Sequence, residues 1–202
     1  MTVYPLQSGP GQGPPIWDII ADRSGSLWIA ASNALIKFDP HTEESTRYVP
    51  PDAQGEIRSI YEAPDGALWL TDHLYRFEPG TAQFTRYPIT DAPILRMVPG
   101  RSAEHLWLAT FDGVFRFDFR RNVVTHHYTH HPNDPDSLSS NRIFSLHEDA
   151  GGILWVGTED AGLNRMLLAV DQFRHYRMIA RQPDRVTTES ITAMTGNASG
   201  TL

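Results

Sequence analysis

Residues 148–158 read Glu-Asp-Ala-Gly-Gly-Ile-Leu-Trp-Val-Gly-Thr, and the Leu154-Trp155 pair near their centre recurs at Leu27-Trp28, Leu68-Trp69 and Leu106-Trp107. An aliphatic residue follows each pair: Val156, Ile29, Leu70 and Leu108. The tryptophans stand 41, 38 and 48 residues apart. Twelve residues before three of them lie Ile16, Ile57 and Ile143, and three residues before them lie Gly25, Gly66 and Gly152. The third copy reaches Ile94 with one extra residue and lacks the glycine. Downstream, Leu35-Ile-Lys-Phe-Asp39, Leu74-Tyr-Arg-Phe-Glu78, Val114-Phe-Arg-Phe-Asp118 and Leu163-Asn-Arg-Met166 superimpose, and Tyr48, Tyr87, Tyr128 and Tyr176 close the units. Self-similarity at a period near 40 residues marks a repeat architecture.

One unit reads as four short strands. In the second, Ile57–Glu62 and Ala67–Thr71 flank Pro64-Asp65-Gly66, where glycine supplies the positive φ of a tight turn. Leu74–Phe77 then turns through Pro79-Gly80 into Phe84–Tyr87. The first two strands do not alternate cleanly, as Ile16-Trp17-Asp18-Ile19-Ile20 shows, which predicts strands covered on both faces. The more polar Thr85-Arg86-Tyr87 belongs outermost. A four-stranded unit at this period is the blade of a β-propeller. A helical solenoid is excluded, because no unit has a ten-residue window of helical apolar spacing free of Gly and Pro.

Composition agrees. The 202 residues are 40 % hydrophobic, and 15 Gly and 15 Pro are spread along the chain, as many short elements joined by turns require. A net charge of −7 disfavours a nucleic-acid or anionic-lipid surface. Cysteine is absent, which removes disulfides, thiolate metal sites and cysteine nucleophiles. No apolar run is long enough to span a bilayer, and Met1-Thr-Val-Tyr-Pro-Leu6 has neither the basic end nor the apolar stretch of a signal peptide.

The repeat has a phase. Blades are expected over residues 16–50, 56–90, 93–131 and 143–177. Val3-Tyr4-Pro5-Leu6 matches Arg86-Tyr87-Pro88-Ile89, which makes residues 2–6 an orphan outer strand. Ile191, Met194, Gly200 and Leu202 fall where Ile143, Leu146, Gly152 and Leu154 fall, so 190–202 reads as the start of a next blade. The two leftovers lack the middle strands needed to complete one blade. A closed four-bladed ring whose terminal pieces complete one another is allowed, but the better reading is a fragment of a larger ring, prone to self-association or to pairing with its missing blades.

Ser137-Leu-Ser-Ser-Asn-Arg-Ile143, the 148–158 stretch and Gly162-Leu-Asn-Arg165 together resemble the two-component regulator propeller repeat, whose blades carry Asp-x-x-Gly-x-Leu-Trp-Ile-Gly-Thr followed by Gly-Leu and a basic residue. The first unit departs with Ala30-Ala31 and Ala34, the second with Thr71-Asp72, and the third with Pro99-Gly-Arg-Ser-Ala-Glu-His105. The resemblance implies the periplasmic or extracellular sensor region of a bacterial membrane signalling protein, and a complete ring of about seven blades. It also implies a module that binds and signals without catalysis.

Several residues invite chemistry. His126-His127 and His130-His131 place two imidazoles on each face of a strand, but their position in the unit is that of a solvated outer strand, and no metal or cofactor is expected. Asp22, Asp65 and Asp149 are taken to recur at one position of the first hairpin, where aspartate bonds the backbone two residues on. The Leu-Trp pairs are blade-to-blade packing. Propellers bind ligands where loops converge at one end of the channel. In this frame those loops hold Ser32-Asn33, Asp72-His73, Phe111-Asp112 and Glu159-Asp160, with the 131–142 insertion beside them. Carboxylates, amides and an aromatic suit a small polar ligand such as a carbohydrate. Two other readings compete: an enzyme resembling the streptogramin lyase propellers, and a protein-binding scaffold.

Overall fold

The computed structural model describes residues 14–53, 55–102, 104–169 and 172–176, and the sequence-derived strands at 2–6 and 190–202 lie outside them. Two compact units divide the chain, Met1–Pro88 and Ile89–Leu202. The first unit holds β1 (Ile16–Ala21), β2 (Leu27–Ala31), β3 (Ala34–Phe38) and β4 (Ser45–Tyr48), then β5 (Ile60–Glu62), β6 (Leu68–Leu70), β7 (Leu74–Glu78) and β8 (Gln83–Tyr87). The second holds β9 (Ile94–Pro99), β10 (His105–Thr110), β11 (Gly113–Asp118) and β12 (Val123–Tyr128), then β13 (Ile143–Glu148), β14 (Ile153–Thr158), β15 (Leu163–Leu167) and β16 (Gln172–Tyr176). Each set of four forms one antiparallel sheet in chain order, and no helix occurs among the described residues. These are β-propeller blades, two in each unit.

The repeat signature is a packing recipe. Each tryptophan sits mid-way along its second strand, directly opposite a basic residue: Trp28 and Lys37, Trp69 and Arg76, Trp107 and Arg116, Trp155 and Arg165. In three blades the cation lies over the indole, at 5.5 Å for Lys37, 5.6 Å for Arg116 and 5.9 Å for Arg165. The closing tyrosine reaches the same indole from the fourth strand, with ring centroids 5.9, 5.1, 6.2 and 6.2 Å apart in chain order. The tryptophan of the second strand and the tyrosine that closes each unit therefore make one aromatic pair per blade.

Within each unit the two sheets bury a shared core. In the first, Trp28, Ala30 and Leu35 pack on Ile57, Ile60, Leu70, Tyr75 and Phe77. In the second, Trp107, Ala109 and Val114 pack on Leu138, Ile143, Leu146, Val156, Met166 and Phe173. Large side chains removed from water on facing sheets supply the main favourable term.

Two strands depart from the sequence reading. β1 is not covered on both faces: Ile16, Trp17 and Ile19 are 48 %, 42 % and 52 % exposed, and only Ile20 of this strand packs against the shared core. β5 starts at Ile60 rather than Ile57: the N–H groups of Arg58 and Ser59 both donate to Thr71 Oγ1 at 2.9 Å, so the side chain takes two donors of the ladder, while the Thr71 N–H still donates to Ser59 O at 3.2 Å.

Candidate functional site

The Asp-x-x-Gly turn explains the most regular polar residues. Asp22 Oδ1 accepts from the N–H groups of Ser24 and Ser26, while Oδ2 accepts the Trp28 indole N–H at 2.7 Å. Asp149 repeats this with the N–H groups of Gly151 and Ile153 and the Trp155 indole at 2.8 Å. Burial opposes both charges, but the hydrogen bonds outweigh it and hold each carboxyl below its ordinary value. Asp65 corrects the sequence reading. It stands four residues before its tryptophan rather than six, and its carboxylate takes the Ala67 N–H and the Arg76 guanidinium. All three carboxylates are structural, through two different geometries.

The loops singled out from the sequence lie at the end where each first strand begins. In the first unit, Ser32 donates its N–H to Pro15 O, and its carbonyl accepts the Ile57 N–H at 2.7 Å. Asn33 Oδ1 accepts from Arg47. Asp72 is buried with φ at +94°, and its Oδ2 accepts the Gly55 N–H. His73 has a buried Nδ1 with no hydrogen-bond partner among the described residues, and its ring meets Tyr75 edge-on. Tyr75 donates to Asp52 Oδ1 while Arg86 pairs with Oδ2, so the Tyr75 hydroxyl and Arg86 hold Asp52 ionised and the tyrosine is pushed up by burial and that carboxylate.

In the second unit, the Gly113 N–H donates to Asn141 O, and the Glu159 N–H to Arg142 O, both at 2.9 Å. Phe111 lies 5.7 Å from Phe144 and 4.6 Å beneath the Arg142 guanidinium, which also pairs with Glu159. Asp112 O accepts from His127 Nε2 at 2.6 Å. Asp160 is exposed. The 131–142 insertion is fastened by Asn164, fully buried on β15, which accepts from the Ser139 N–H and donates to Ser139 Oγ. Each unit thus gathers its own four candidate residues along the loop end of its two blades.

The outer-strand histidines are more engaged than a solvated strand implies. His127 stacks on Phe115 at 3.9 Å, His126 stacks on Tyr128, and His130 Nδ1 sits 2.6 Å from Leu138 O. Among the described residues no group of three or more His, Asp or Glu is placed to hold a metal ion. Sequence reasoning missed Trp17, Glu56, Arg58 and Arg142. Arg58 lies 4.7 Å over the Trp17 ring and pairs with Glu56 at 2.7 Å. The missed signal was positional, since Trp17, Arg58 and Phe144 each follow the repeat isoleucine by one residue.

Comparison with known proteins agrees with this architecture. Residues 137–160 match the family "Two component regulator propeller". No curated protein sequence matches the chain. Among solved structures, the extracellular domain of a one component system from B. thetaiotaomicron superposes with a TM-score of 0.70 at 23 % identity, covering 83 % of this chain and 26 % of that one. The extracellular domain of a hybrid two component system from B. thetaiotaomicron gives 0.68 at 20 %, covering 82 % and 25 %. Virginiamycin B lyase from Staphylococcus aureus gives 0.63 at 14 %, covering 87 % and 59 %. The chain therefore spans about a quarter of the length of the first two. No helix among the described residues is long and apolar enough to cross a membrane.

Proposed function

With a two-component regulator propeller repeat in its fourth blade, we propose that this chain is a ligand-sensing, non-catalytic part of a bacterial signalling receptor of the two-component type. It works in the periplasm or outside the cell, and it binds a small polar ligand such as a carbohydrate. The observation that carries this reading is the loop end of each unit, where backbone hydrogen bonds join second-to-third-strand loops to the lead-ins of the first strands. Side chains with both hydrogen-bonding and stacking capacity collect there, as a site for a hydroxylated ligand needs. The extracellular sensor neighbours support the location and the signalling role.

The exposed Ile16 and Ile19 support a further part of the proposal, that the chain associates with itself or with additional blades. Light scattering at micromolar concentration tests it, and a compact monomer opposes it.

The experiment for ligand binding is a thermal-shift titration of the chain with neutral hexasaccharides of glucose, xylose, mannose and arabinose. A ligand that binds the native state raises the midpoint by mass action. The expected result is a saturable rise with one sugar that Phe111→Ala or Asp72→Asn reduces. No rise with any sugar, or turnover of a streptogramin, overturns the reading.

A further inference from the structure

Each first strand of three blades contains one extra residue relative to its partner. Pairing passes from Ile16 to Asp18 against Ala31 to Ala30, from Ile94 to Arg96 against Thr110 to Ala109, and from Ile143 to Ser145 against Thr158 to Gly157. The bulged residues are Trp17, Leu95 and Phe144. In the other blade, the convergence of the Arg58 and Ser59 N–H groups on Thr71 Oγ1 marks the same place, again one residue after the repeat isoleucine. A bulge breaks the alternation of the strand and re-aims the side chain it carries. The repeat thus has one position whose side chain is freed from the ladder at the loop end.

In the first unit the two side chains at this position meet. The Arg58 guanidinium covers one side of the Trp17 ring at 4.7 Å, and Arg58 Nε and Nη2 donate to Glu56 Oε2 at 3.1 and 2.7 Å. Blade-to-blade fastening is already supplied beside them, because Asp18 Oδ2 accepts the Ile60 N–H at 2.9 Å. A ring serving only as a staple is buried, whereas Trp17 keeps 42 % of its surface in water, unlike the core tryptophans Trp28, Trp69 and Trp107. An oriented, half-open indole beside a fixed guanidinium and carboxylate matches the two surfaces of a pyranose: a C–H face that stacks on an aromatic ring, and a rim of hydroxyls that both donate and accept.

We propose that Trp17, Arg58 and Glu56 form a carbohydrate subsite in the first unit. The open face of Trp17 stacks on a pyranose ring, and the Arg58–Glu56 pair bonds its neighbouring hydroxyls. This rests on the reading of the chain as a sugar-binding sensor and adds the residues that the loop motifs did not contain.

Indole N–H signals of the full chain in two-dimensional NMR test it, with the Trp17 signal assigned from Trp17→Phe, and with the same four hexasaccharides as probes. The expected result is that the binding sugar shifts the Trp17 signal, and that Trp17→Ala and Arg58→Gln each weaken its affinity at least tenfold while retaining the wild-type circular dichroism. A sugar that binds equally well to both variants and leaves the Trp17 signal unmoved overturns the subsite and leaves the sensor reading standing. Absence of binding by the wild-type chain overturns both. Protection of Trp17 from acrylamide quenching that grows with protein concentration, without sugar, assigns the ring to contact between copies and overturns the subsite as well.

Discussion

The Trp107 indole N–H donates to Glu148 Oε2 at 2.7 Å, so the tryptophan of one blade is held by a carboxylate on the first strand of the next. The adjacent residue, Asp149, holds Trp155 inside its own blade. Blade three lacks the Asp-x-x-Gly turn. In its place Arg101 donates to Ala150 O across the same junction, and His105 packs edge-on against Trp107, 3.7 Å from Glu148. A departure from the repeat has become a joint between two blades.

Glu148→Ala is expected to cost about 1–3 kcal/mol, because it removes a charge-assisted hydrogen bond and strands a buried indole N–H. Urea melts of Glu148→Ala, Trp107→Phe and Trp155→Phe, alone and in pairs, check the wiring. Coupling should appear between Glu148 and Trp107 and be near zero between Glu148 and Trp155. The reverse pattern would assign Glu148 to its own blade.

Acid should loosen these anchors. The carboxyls of Asp22, Glu148 and Asp149 are held below their ordinary values; burial opposes their charge, and the hydrogen bonds and neighbours around them more than offset it. A carboxyl depressed in the folded state contributes stability that is fully present above its unfolded value, about 4, and is lost as pH falls through the lower folded value. Stability should hold from pH 7 to about 5 and decline below about 4. Urea midpoints measured by tryptophan emission across pH 3–7 check this, and Asp149→Asn should flatten part of the decline.

Glycine matters differently at two turns. Gly25 has φ of +87° with open space where a Cβ would stand, so Gly25→Ala should cost about 1–2 kcal/mol from the left-handed backbone alone. Gly113 has φ of +98°, and its Cβ would meet Tyr128 O at 2.1 Å. Gly113→Ala adds a backbone collision and should cost about 3 kcal/mol or more. Equal losses in thermal melts would contradict the close approach of β11 and β12.

Trp69→Ala should cost about 3–5 kcal/mol as a large-to-small change in a full core. His127→Ala loses a stacked ring and a hydrogen bond to Asp112 O, and should cost about 0.5–1.5 kcal/mol rather than nothing. Denaturant midpoints of the two variants separate the inner from the outer strand.

The recurrence of Ile, Leu-Trp and Tyr in one order at nearly equal offsets was enough to place four blades and their tryptophans, because a repeat must satisfy the same burial in every copy and so writes its core into the spacing. The end at which the turns carrying Asp72 and Phe111 lie was also legible, since a strand order fixes which turns share an end. The role of Trp17 was not. Ile16-Trp17-Asp18-Ile19-Ile20 has the composition of a covered strand, and only the pairing register reveals the bulge that turns Trp17 out to meet Arg58, 41 residues away.

What the sequence determined by itself is therefore whatever local periodicity encodes: strand type, turn position, and the tryptophan, tyrosine and basic residue of each blade. Tertiary structure decided which carboxylate serves which indole, where the ladder admits an extra residue, and which side chains of different blades touch. Those outcomes depend on distances between segments about 40 residues apart, which packing sets and no local pattern specifies.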